Sequence, residues 1–478
     1  MSKKENQNIL FVPLGTLAIS AKGKKPPVLK EKSAPGLVPY IDIEAFEQGV
    51  MRRYTDPDKT TLCNDGDVLM VWDGSRSGLV GYGRAGALGS TLAKISIPLV
   101  EKPYLFYFLE SLYPMLNSRA KGVGIPHVNP ELLWSSLFPV VSEKQQACVV
   151  AKIEELITEL ESGVKDFKSA QEKLKRYRAS VLDAAFSGKL IPTEDVIARS
   201  ENRGYESGTK LLANIYKDRT EKNCKSNFKE PDFGKFPKAP VGWVWCLSDS
   251  IFNFVTSGSR GWAKYYSETG ALFLRMGNLD HNSISLDLRK IQRVNITKNA
   301  EGIRTKVLPN DILISITADV GMIAVVPEKI EESYINQHVA LARPVTAINA
   351  KYIAWYLASD KGQGYLKKLQ RGATKVGLGL TDIRSVPICL PPRIEQNRIV
   401  SEIERLMSLA SELEKMLSSN LQRSKHLRQS ILKQAFSGTL MSQGLNDEPA
   451  SVLLARIKAE RINAISKKKK PRSKIKTK

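Results

Sequence analysis

Lys175-Arg176-Tyr177-Arg178-Ala179-Ser180-Val181-Leu182-Asp183-Ala184-Ala185-Phe186-Ser187-Gly188-Lys189-Leu190 returns 250 positions later (436 minus 186) as Lys425-His426-Leu427-Arg428-Gln429-Ser430-Ile431-Leu432-Lys433-Gln434-Ala435-Phe436-Ser437-Gly438-Thr439-Leu440. Upstream the register holds without a gap, with Gln146, Val150, Ile153, Glu154 and Leu156 matching Gln396, Val400, Ile403, Glu404 and Leu406. The two copies are each about fifty residues long and each follows a different segment of roughly 140 to 150 residues. The chain therefore reads as variable, common, variable, common. Such a plan sets two different modules at the two ends of one symmetric frame.

Both copies carry apolar residues at heptad spacing. In the first, Ile153, Leu160, Phe167, Leu174 and Val181 form one row, with Leu156, Ala170, Tyr177 and Ala184 three positions after most of them. In the second, Ile403, Ala410, Leu417 and Ile431 keep the row, with Leu406, Leu413 and Leu427 beside it and Asn420, Ser424 and Gln434 as interruptions. This is the pattern of a coiled-coil seam. Each copy closes on a glycine, Gly188 or Gly438, where a left-handed cap residue is expected. The spacing predicts a helix from about Gln145 to Phe186, roughly 60 Å long at ~1.5 Å per residue. Because the two faces match, the simplest burial is an antiparallel pair within one molecule, related by a pseudo-two-fold axis; the other arrangement is a coiled coil between chains. A shorter echo follows each long helix: Glu206, Leu211, Leu212, Ala213, Ile215 and Arg219 match Glu448, Leu453, Leu454, Ala455, Ile457 and Arg461 at an interval of 242, so the second linker is eight residues shorter (250 minus 242). These amphipathic segments pack on the frame or dock a partner.

A net charge of +23 and a pI near 9.6 favour a polyanionic partner such as DNA or RNA. Eight of those charges, Lys467, Lys468, Lys469, Lys470, Arg472, Lys474, Lys476 and Lys478, form a terminal run expected to be disordered, which leaves +15 on the rest. No apolar run approaches the roughly 18 to 20 residues needed to cross a bilayer, and the polar start lacks the core of a signal peptide, so a cytoplasmic location is expected. Cys63, Cys148, Cys224, Cys246 and Cys389 are odd in number and not paired at metal-ligand spacing, and the four histidines are scattered, so reduced thiols and no metal site are expected.

The variable segments are strand-like and ordered alike. In the first, Asp67-Val68-Leu69-Met70-Val71-Trp72 leads into the loop Asp73 to Gly78; in the second, Asp311-Ile312-Leu313-Ile314-Ser315 leads to Val320 and Gly321. Tyr104 to Leu109 and Tyr352 to Leu357 look like short helices, each followed by a basic glycine loop. Glycine lets backbone approach a ligand closely and arginine can bond a guanine edge bidentately, so Arg76, Arg84, Lys121, Arg275, Arg371 and Lys375 are the candidate DNA contacts. Gly81, Gly83 and Gly86 fit a dinucleotide fingerprint, yet Thr91 to Ile97 alternates like a strand where that fingerprint needs a helix, so a turn is the better reading. With no phosphate loop, methyltransferase signature or nuclease cluster in the sequence, no catalytic centre is expected.

The alternation of variable modules with duplicated helices resembles the DNA-specificity subunit of Type I restriction-modification systems over nearly the whole length. The resemblance rests on Gly66-Asp67-Val68-Leu69 and Asn310-Asp311-Ile312-Leu313, on Asn336-Gln337-His338, on Leu390-Pro391-Pro392 before Glu395-Gln396, on Ala-Phe-Ser-Gly twice, and on Leu453-Leu454 through Ile457-Lys458-Ala459-Glu460-Arg461. Val140-Val141-Ser142 departs from it, standing where the second copy has Leu390-Pro391-Pro392. The resemblance implies an α+β fold in which two mostly β target-recognition domains are separated by two long helices packed as an antiparallel coiled coil with pseudo-two-fold symmetry. It divides the chain into recognition domain one (1–138), helical region one (139–190), a linker with a short helix (191–238), recognition domain two (239–390), helical region two (391–440), a short C-terminal helix (441–466) and a basic tail (467–478). It also implies that each domain reads half of a bipartite, asymmetric site on double-stranded DNA. Ile153, Leu156, Leu160, Phe186, Ile403, Leu406, Leu413 and Phe436 would then serve the spacer helices and subunit docking. The implied partners are two methyltransferase and two restriction subunits, which would hold the S-adenosylmethionine, Mg²⁺ and ATP, with no cofactor on this chain. The competing readings are a self-contained enzyme with an unrecognised active site and a coiled-coil adaptor that reads no sequence.

Overall fold

The computed structural model describes residues 9–122, 124–221, 228, 231–295, 304–370, 377–440 and 448–469. The first module contributes strands β1 (Leu10–Pro13), β2 (Ile19–Lys22), β3 (Val38–Ile41), β4 (Tyr54–Thr55), β5 (Leu62–Cys63), β6 (Val68–Val71), β7 (Val80–Tyr82), β8 (Gly86–Leu88), β9 (Leu92–Ser96) and β10 (Leu137–Val140), with helices α1 (Ile43–Gln48), α2 (Lys102–Ser118) and α3 (Pro130–Ser135). The long helix α4 (Glu143–Phe186) follows, then α5 (Glu194–Ser200) and α6 (Gly208–Glu221). The second module holds β11 (Val244–Leu247), β12 (Phe252–Ser257), β13 (Tyr266–Ser267), β14 (Ala271–Leu274), β15 (Gln292–Val294), β16 (Ile312–Ser315), β17 (Ile323–Val325), β18 (Ser333–Ile335), β19 (Val339–Pro344) and β20 (Pro387–Leu390), with α7 (Ser248–Ile251), α8 (Ala350–Ala358), α9 (Asp360–Leu369) and α10 (Leu380–Arg384). The second long helix α11 (Arg393–Phe436) and α12 (Ala450–Lys469) complete the described chain, α12 continuing through Lys467, Lys468 and Lys469, which were expected to lie in the disordered run.

The chain forms two compact units, one comprising residues up to Lys168 with those from Ser418 onward, the other Ser169–Leu417. The divisions fall inside α4 and α11, so each unit holds one module and one half of each long helix.

The two modules share one topology. In the first, an antiparallel sheet of order β2-β9-β6-β7 lies with a second sheet of order β4-β3-β8-β5, in which β3 and β8 are parallel. In the second, the orders are β12-β19-β16-β17 and β13-β15-β14-β18, with β14 and β18 parallel. Each module is closed by a two-stranded ribbon, β1 with β10 or β11 with β20. Where one module has a strand the other has a single bridge: Lys30 to Tyr54 corresponds to the β13–β15 pair, and Lys306 to Tyr334 corresponds to β5–β8.

Both faces of the central strand are covered in each module. Val68 and Met70 join the helix-side core with Tyr104 and Phe108, while Leu69 and Val71 meet Ile41 and Leu88 of the second sheet. Ile312 and Ile314 likewise lie with Tyr352 and Tyr356, while Leu313 meets Leu274 and Ile335. This explains why β6 and β16 read as unbroken apolar runs, although antiparallel strands usually alternate.

Each long helix begins and ends against a module. Gln146 Nε2 donates to the Val141 carbonyl (3.1 Å) and its Oε1 accepts from the Glu101 amide (3.0 Å); Gln396 does the same with Pro391 (2.9 Å) and Asn349 (2.9 Å). Phe436 sits edge-on to Tyr104 and Phe108 at 5.2 and 5.5 Å, and Phe186 sits edge-on to Tyr352 and Tyr356 at 5.4 and 5.3 Å. The start of α4 thus shares a core with the end of α11, through Ile153, Ile157, Leu432 and Phe436. In the other unit the start of α11 shares a core with the end of α4, through Ile399, Ile403, Val181 and Phe186. The halves are antiparallel within one chain, as their matching faces predict.

The seam itself differs from its sequence reading. The second buried row lies four positions after the first, at Ile157, Ala185, Met407 and Ala435, while Tyr177, Leu413 and Leu427, placed in it at +3, are exposed, Leu413 by 51%. On a helix the +3 and +4 positions flank a row on opposite sides, and both were partly apolar, so only the partner's position selects between them. The +4 row is disguised by arginines at Arg178 and Arg428, which are 250 apart. Arg178 bonds Ser411 (3.0 Å) and Glu414 (2.9 Å), and Arg428 bonds Glu161 (3.0 Å) and Glu110. Positions 161 and 411 are themselves 250 apart, so each unit repeats the same cross-helix pair.

The linker difference also has a structural form. α5 occupies the longer first linker, and its first amide, at Glu194, donates to Glu395 (2.9 Å), which also accepts from Trp243 Nε1 (2.9 Å). The short echo helices pack on the frame: Arg219 of α6 bonds the carbonyls of Asp249 and Ser250, and Arg461 of α12 those of Gly15 and Ala18.

Truncating either seat, by Phe436→Ala or Phe186→Ala, is expected to cost about 3 to 5 kcal/mol of stability, as for other buried aromatic deletions. Denaturant unfolding of the full chain checks this, and a loss under about 1 kcal/mol would show that the rings are not structural anchors.

Candidate nucleic-acid interface

In each module several loops meet at one end of the four-stranded sheet. In the first, β2 and β6 end there while β7 and β9 begin there, as the pairings Lys22 with Ala93, Val71 with Leu92 and Met70 with Val80 require. The loop after β2 carries exposed Lys24 and Lys25, the β6–β7 turn carries Arg76, and Lys121 and His127 stand at the same end, bridged to each other and His127 to Asp73. Backbone bonds brace them: Gly74 donates to the Pro126 carbonyl (2.7 Å), and Lys121 and His127 exchange amide bonds of 2.9 and 2.8 Å. Lys22 pairs with Asp73 at 2.8 Å, which ties the end of β2 to the same turn.

The second module builds the same end from β12, β16, β17 and β19. Arg304 bonds the Ser257 carbonyl and Ser259 Oγ, both at 3.1 Å, and also Thr256. Thr317 bonds His338, whose other ring nitrogen lies 3.0 Å from Gln337 Nε2, and His281 pairs with Asp319 at 2.8 Å. Gln363 holds the β16–β17 turn through the Gly321 carbonyl at 2.8 Å. Asn336 follows β18, and its amide donates to the Leu274 carbonyl (3.0 Å), which brings Arg275 to this end.

A glycine permits the close backbone approach in both places. A Cβ on Gly23 would lie 2.1 Å from the Gly89 carbonyl oxygen, and one on Gly258 would lie 2.2 Å from Asn336 backbone atoms. The aspartate that precedes each central strand anchors a turn. Asp67 accepts from the Asn64 amide (2.9 Å) and Asp311 from the Leu308 amide (2.7 Å). Each also binds a cation from the neighbouring strand, Lys94 at 3.1 Å or Arg343 at 2.7 Å. The bond to Asp311 raises the Arg343 guanidinium further above its ordinary value. Burial pushes the Asp67 carboxyl up, but the Asn64 amide, Lys94 and Lys102 outweigh it and hold the carboxyl below its usual range. These bonds fix the far ends of the central strands, while the loop ends present cations and amide and imidazole groups suited to phosphates and base edges.

The structure brings some of the candidate residues together and separates others. Arg76 and Lys121 share the loop end of the first module, where each is partnered, by Glu47 (2.6 Å) and Glu131 (3.2 Å) respectively. Arg275 lies at the corresponding end of the second. Arg84 follows β7 and so sits at the opposite end of its sheet, with its guanidinium against Gly49. Arg371 and Lys375 lie outside the described residues. On the long helices Ile153, Ile403, Phe186 and Phe436 are buried and Leu156, Leu160 and Leu406 half-buried. Lys24, Lys25, Arg304 and the side chains of Gln337 and His338 were not singled out as contacts; Gly23-Lys24-Lys25 was a legible basic glycine loop. Among the described residues no helix is long and apolar enough to cross a membrane.

Residues 265–423 match the family model described as the Type I restriction modification DNA specificity domain. The chain is 25% identical over 421 residues to the Type I restriction enzyme EcoBI specificity subunit of Escherichia coli, covering 84% of this chain and 81% of that protein. It is 30% identical over 167 residues to the MjaVIII specificity subunit of Methanocaldococcus jannaschii, covering 34% and 39%. A chain from a structure of complex assembly and conformational transition in the type I R-M system superposes with a TM-score of 0.63 at 18% identity, over 91% of this chain and 98% of that one. The HsdS subunit from Thermoanaerobacter tengcongensis superposes with a TM-score of 0.51 at 18% identity, over 92% and 100%. These two likenesses bear on the fold.

Because the folded Asp67 carboxyl is depressed, its stabilising contribution is complete above its unfolded value of about 3.9 and is lost as pH falls through the folded value. The stability difference between the native chain and Asp67→Asn should therefore shrink as pH is lowered from about 6 to about 3. Urea unfolding at several pH values checks this; a difference independent of pH would remove the ion-pair account.

Proposed function

The chain belongs to the family of Type I restriction-modification specificity subunits, and we propose that each of its modules reads one half of a bipartite, asymmetric site on double-stranded DNA through the loop end described above. The observation that carries this reading is that two modules of one topology, seated identically, differ in the side chains at that end. Arg76, Lys121, Lys24 and Lys25 stand in one; Arg275, Arg304, Gln337 and His338 stand in the other. A common scaffold with different loops is what reading two different half-sites requires. The net charge of +23, of which eight charges lie in the terminal run, supports a polyanionic partner for the chain.

In this reading the chain is not itself catalytic. It positions two methyltransferase subunits and two restriction subunits, and those partners bind S-adenosylmethionine, Mg²⁺ and ATP. The long helices set the spacer between half-sites: 44 residues correspond to about 66 Å, or roughly 19 base pairs at ~3.4 Å each. A coiled-coil adaptor without sequence reading would not need two sets of differing loops on one frame.

Co-expression with a Type I methyltransferase subunit, followed by single-molecule mapping of methylated adenines, tests the function. A two-part motif with a fixed gap is expected; a stable complex that produces no new methylation would favour the adaptor. Lengthening both long helices by about one turn, four residues, should change the gap and keep both half-sites. An unchanged gap would end the spacer role.

A further inference from the structure

Ile125 is 69% exposed, more than any other large apolar side chain among the described residues. It stands on the Lys121–His127 segment at the loop end of the first module. The segment is closed at its base by the two amide bonds between Lys121 and His127 and is tied to the Arg76 turn through Gly74 and Pro126. At its start Gly122 is left-handed, and a Cβ there would lie 2.5 Å from the Ile125 carbonyl oxygen. Pro126 follows directly and restricts the backbone of Ile125. The described residues on either side of Ile125 are thus tied, through Pro126 to the Arg76 turn and through His127 to Lys121.

At the same loop end Lys121 and Arg76 pair with Glu131 and Glu47, and Lys22 pairs with Asp73, while the Ile125 side chain is exposed. No core cluster includes Ile125. Exposed to solvent, this side chain gains nothing in the free chain, and a ligand seated on the loop end would bury it. DNA offers one apolar group on a base edge, the C5 methyl of thymine in the major groove.

We propose that Ile125 reads a thymine methyl in the half-site recognised by the first module. The proposal rests on the DNA-reading function above and assigns to one side chain the discrimination of one T·A pair. A side chain between such ties reports a single position, whereas the lysines of this loop end would act on phosphates at every sequence.

The test uses the full chain in complex with its methyltransferase subunit and duplexes carrying the mapped motif. Replacing each thymine of the first half-site in turn by uracil deletes only the methyl. With the native chain, one such replacement should lower the methylation rate about fourfold, the effect of one buried carbon. Ile125→Ala should be slowed on the thymine duplex and indifferent to thymine or uracil at that position, with discrimination elsewhere and the melting temperature unchanged. If Ile125→Ala keeps the thymine preference, slows all sequences equally, or if the half-site holds no thymine, the assignment is wrong while the functional reading stands. If the native complex methylates no motif at all, both fall together.

Discussion

Two phenylalanines hold the frame to its modules. Phe436 is enclosed edge-on by Tyr104 and Phe108, and Phe186 by Tyr352 and Tyr356, while Tyr104 and Tyr352 in turn bond the carbonyls of Pro139 and Cys389. Each ring is the last residue of its helix, and the left-handed glycine two residues later turns the chain away. A long helix whose tip is buried in this way cannot slide along its partner without pulling an aromatic ring out of a core, at a cost of several kcal/mol. Gln146 and Gln396 act at the opposite tips with paired hydrogen bonds that no other register would satisfy.

Between the tips the helices are joined more weakly and more selectively. Arg178 and Arg428 stand in rows that a coiled coil usually fills with aliphatic residues, and each reaches across to the other helix. Burial works against the charge on Arg428, and the carboxylates of Glu110 and Glu161 more than compensate, so its guanidinium is raised above its ordinary value. Polar groups in a seam weaken it relative to leucine but punish misalignment, since a shifted arginine would lose its acid. The buried network of Glu395 with Glu194 and Trp243 plays a comparable part where the first linker is longer, at a site where the other copy has Gln145.

In each module the packing that fixes the sheet is separate from the loops at its end. Because the central strands β6 and β16 bury both faces, between helices on one side and a second sheet on the other, the sheet is fixed by packing that does not involve the loops at its end. Asp67 and Asp311 complete this by fixing the turn before each central strand. Loops on such a base can change their side chains with little effect on the fold.

How much of this was legible in the sequence follows from which interactions are local. The 250-residue repeat, the long helices with their glycine stops, the shared order of parts in the two modules and the echoed short helices all follow from periodicity and repetition along the chain, and the structure contains each of them. The choice between the +3 and +4 rows was not legible, because Leu413 and Met407 are equally apolar and only the position of the other helix buries one and exposes the other. Nor was the composition of the loop end. Arg84 lies only eight residues from Arg76 yet at the far end of the sheet, since one strand carries the chain across; Lys24 lies far from both in sequence yet at the same end as Arg76, since β2 and β6 both pair with β9. The sequence alone therefore determined which elements form and that they form twice. Strand order and helix packing, which depend on contacts between residues hundreds of positions apart, decided which side chains stand together at the surface.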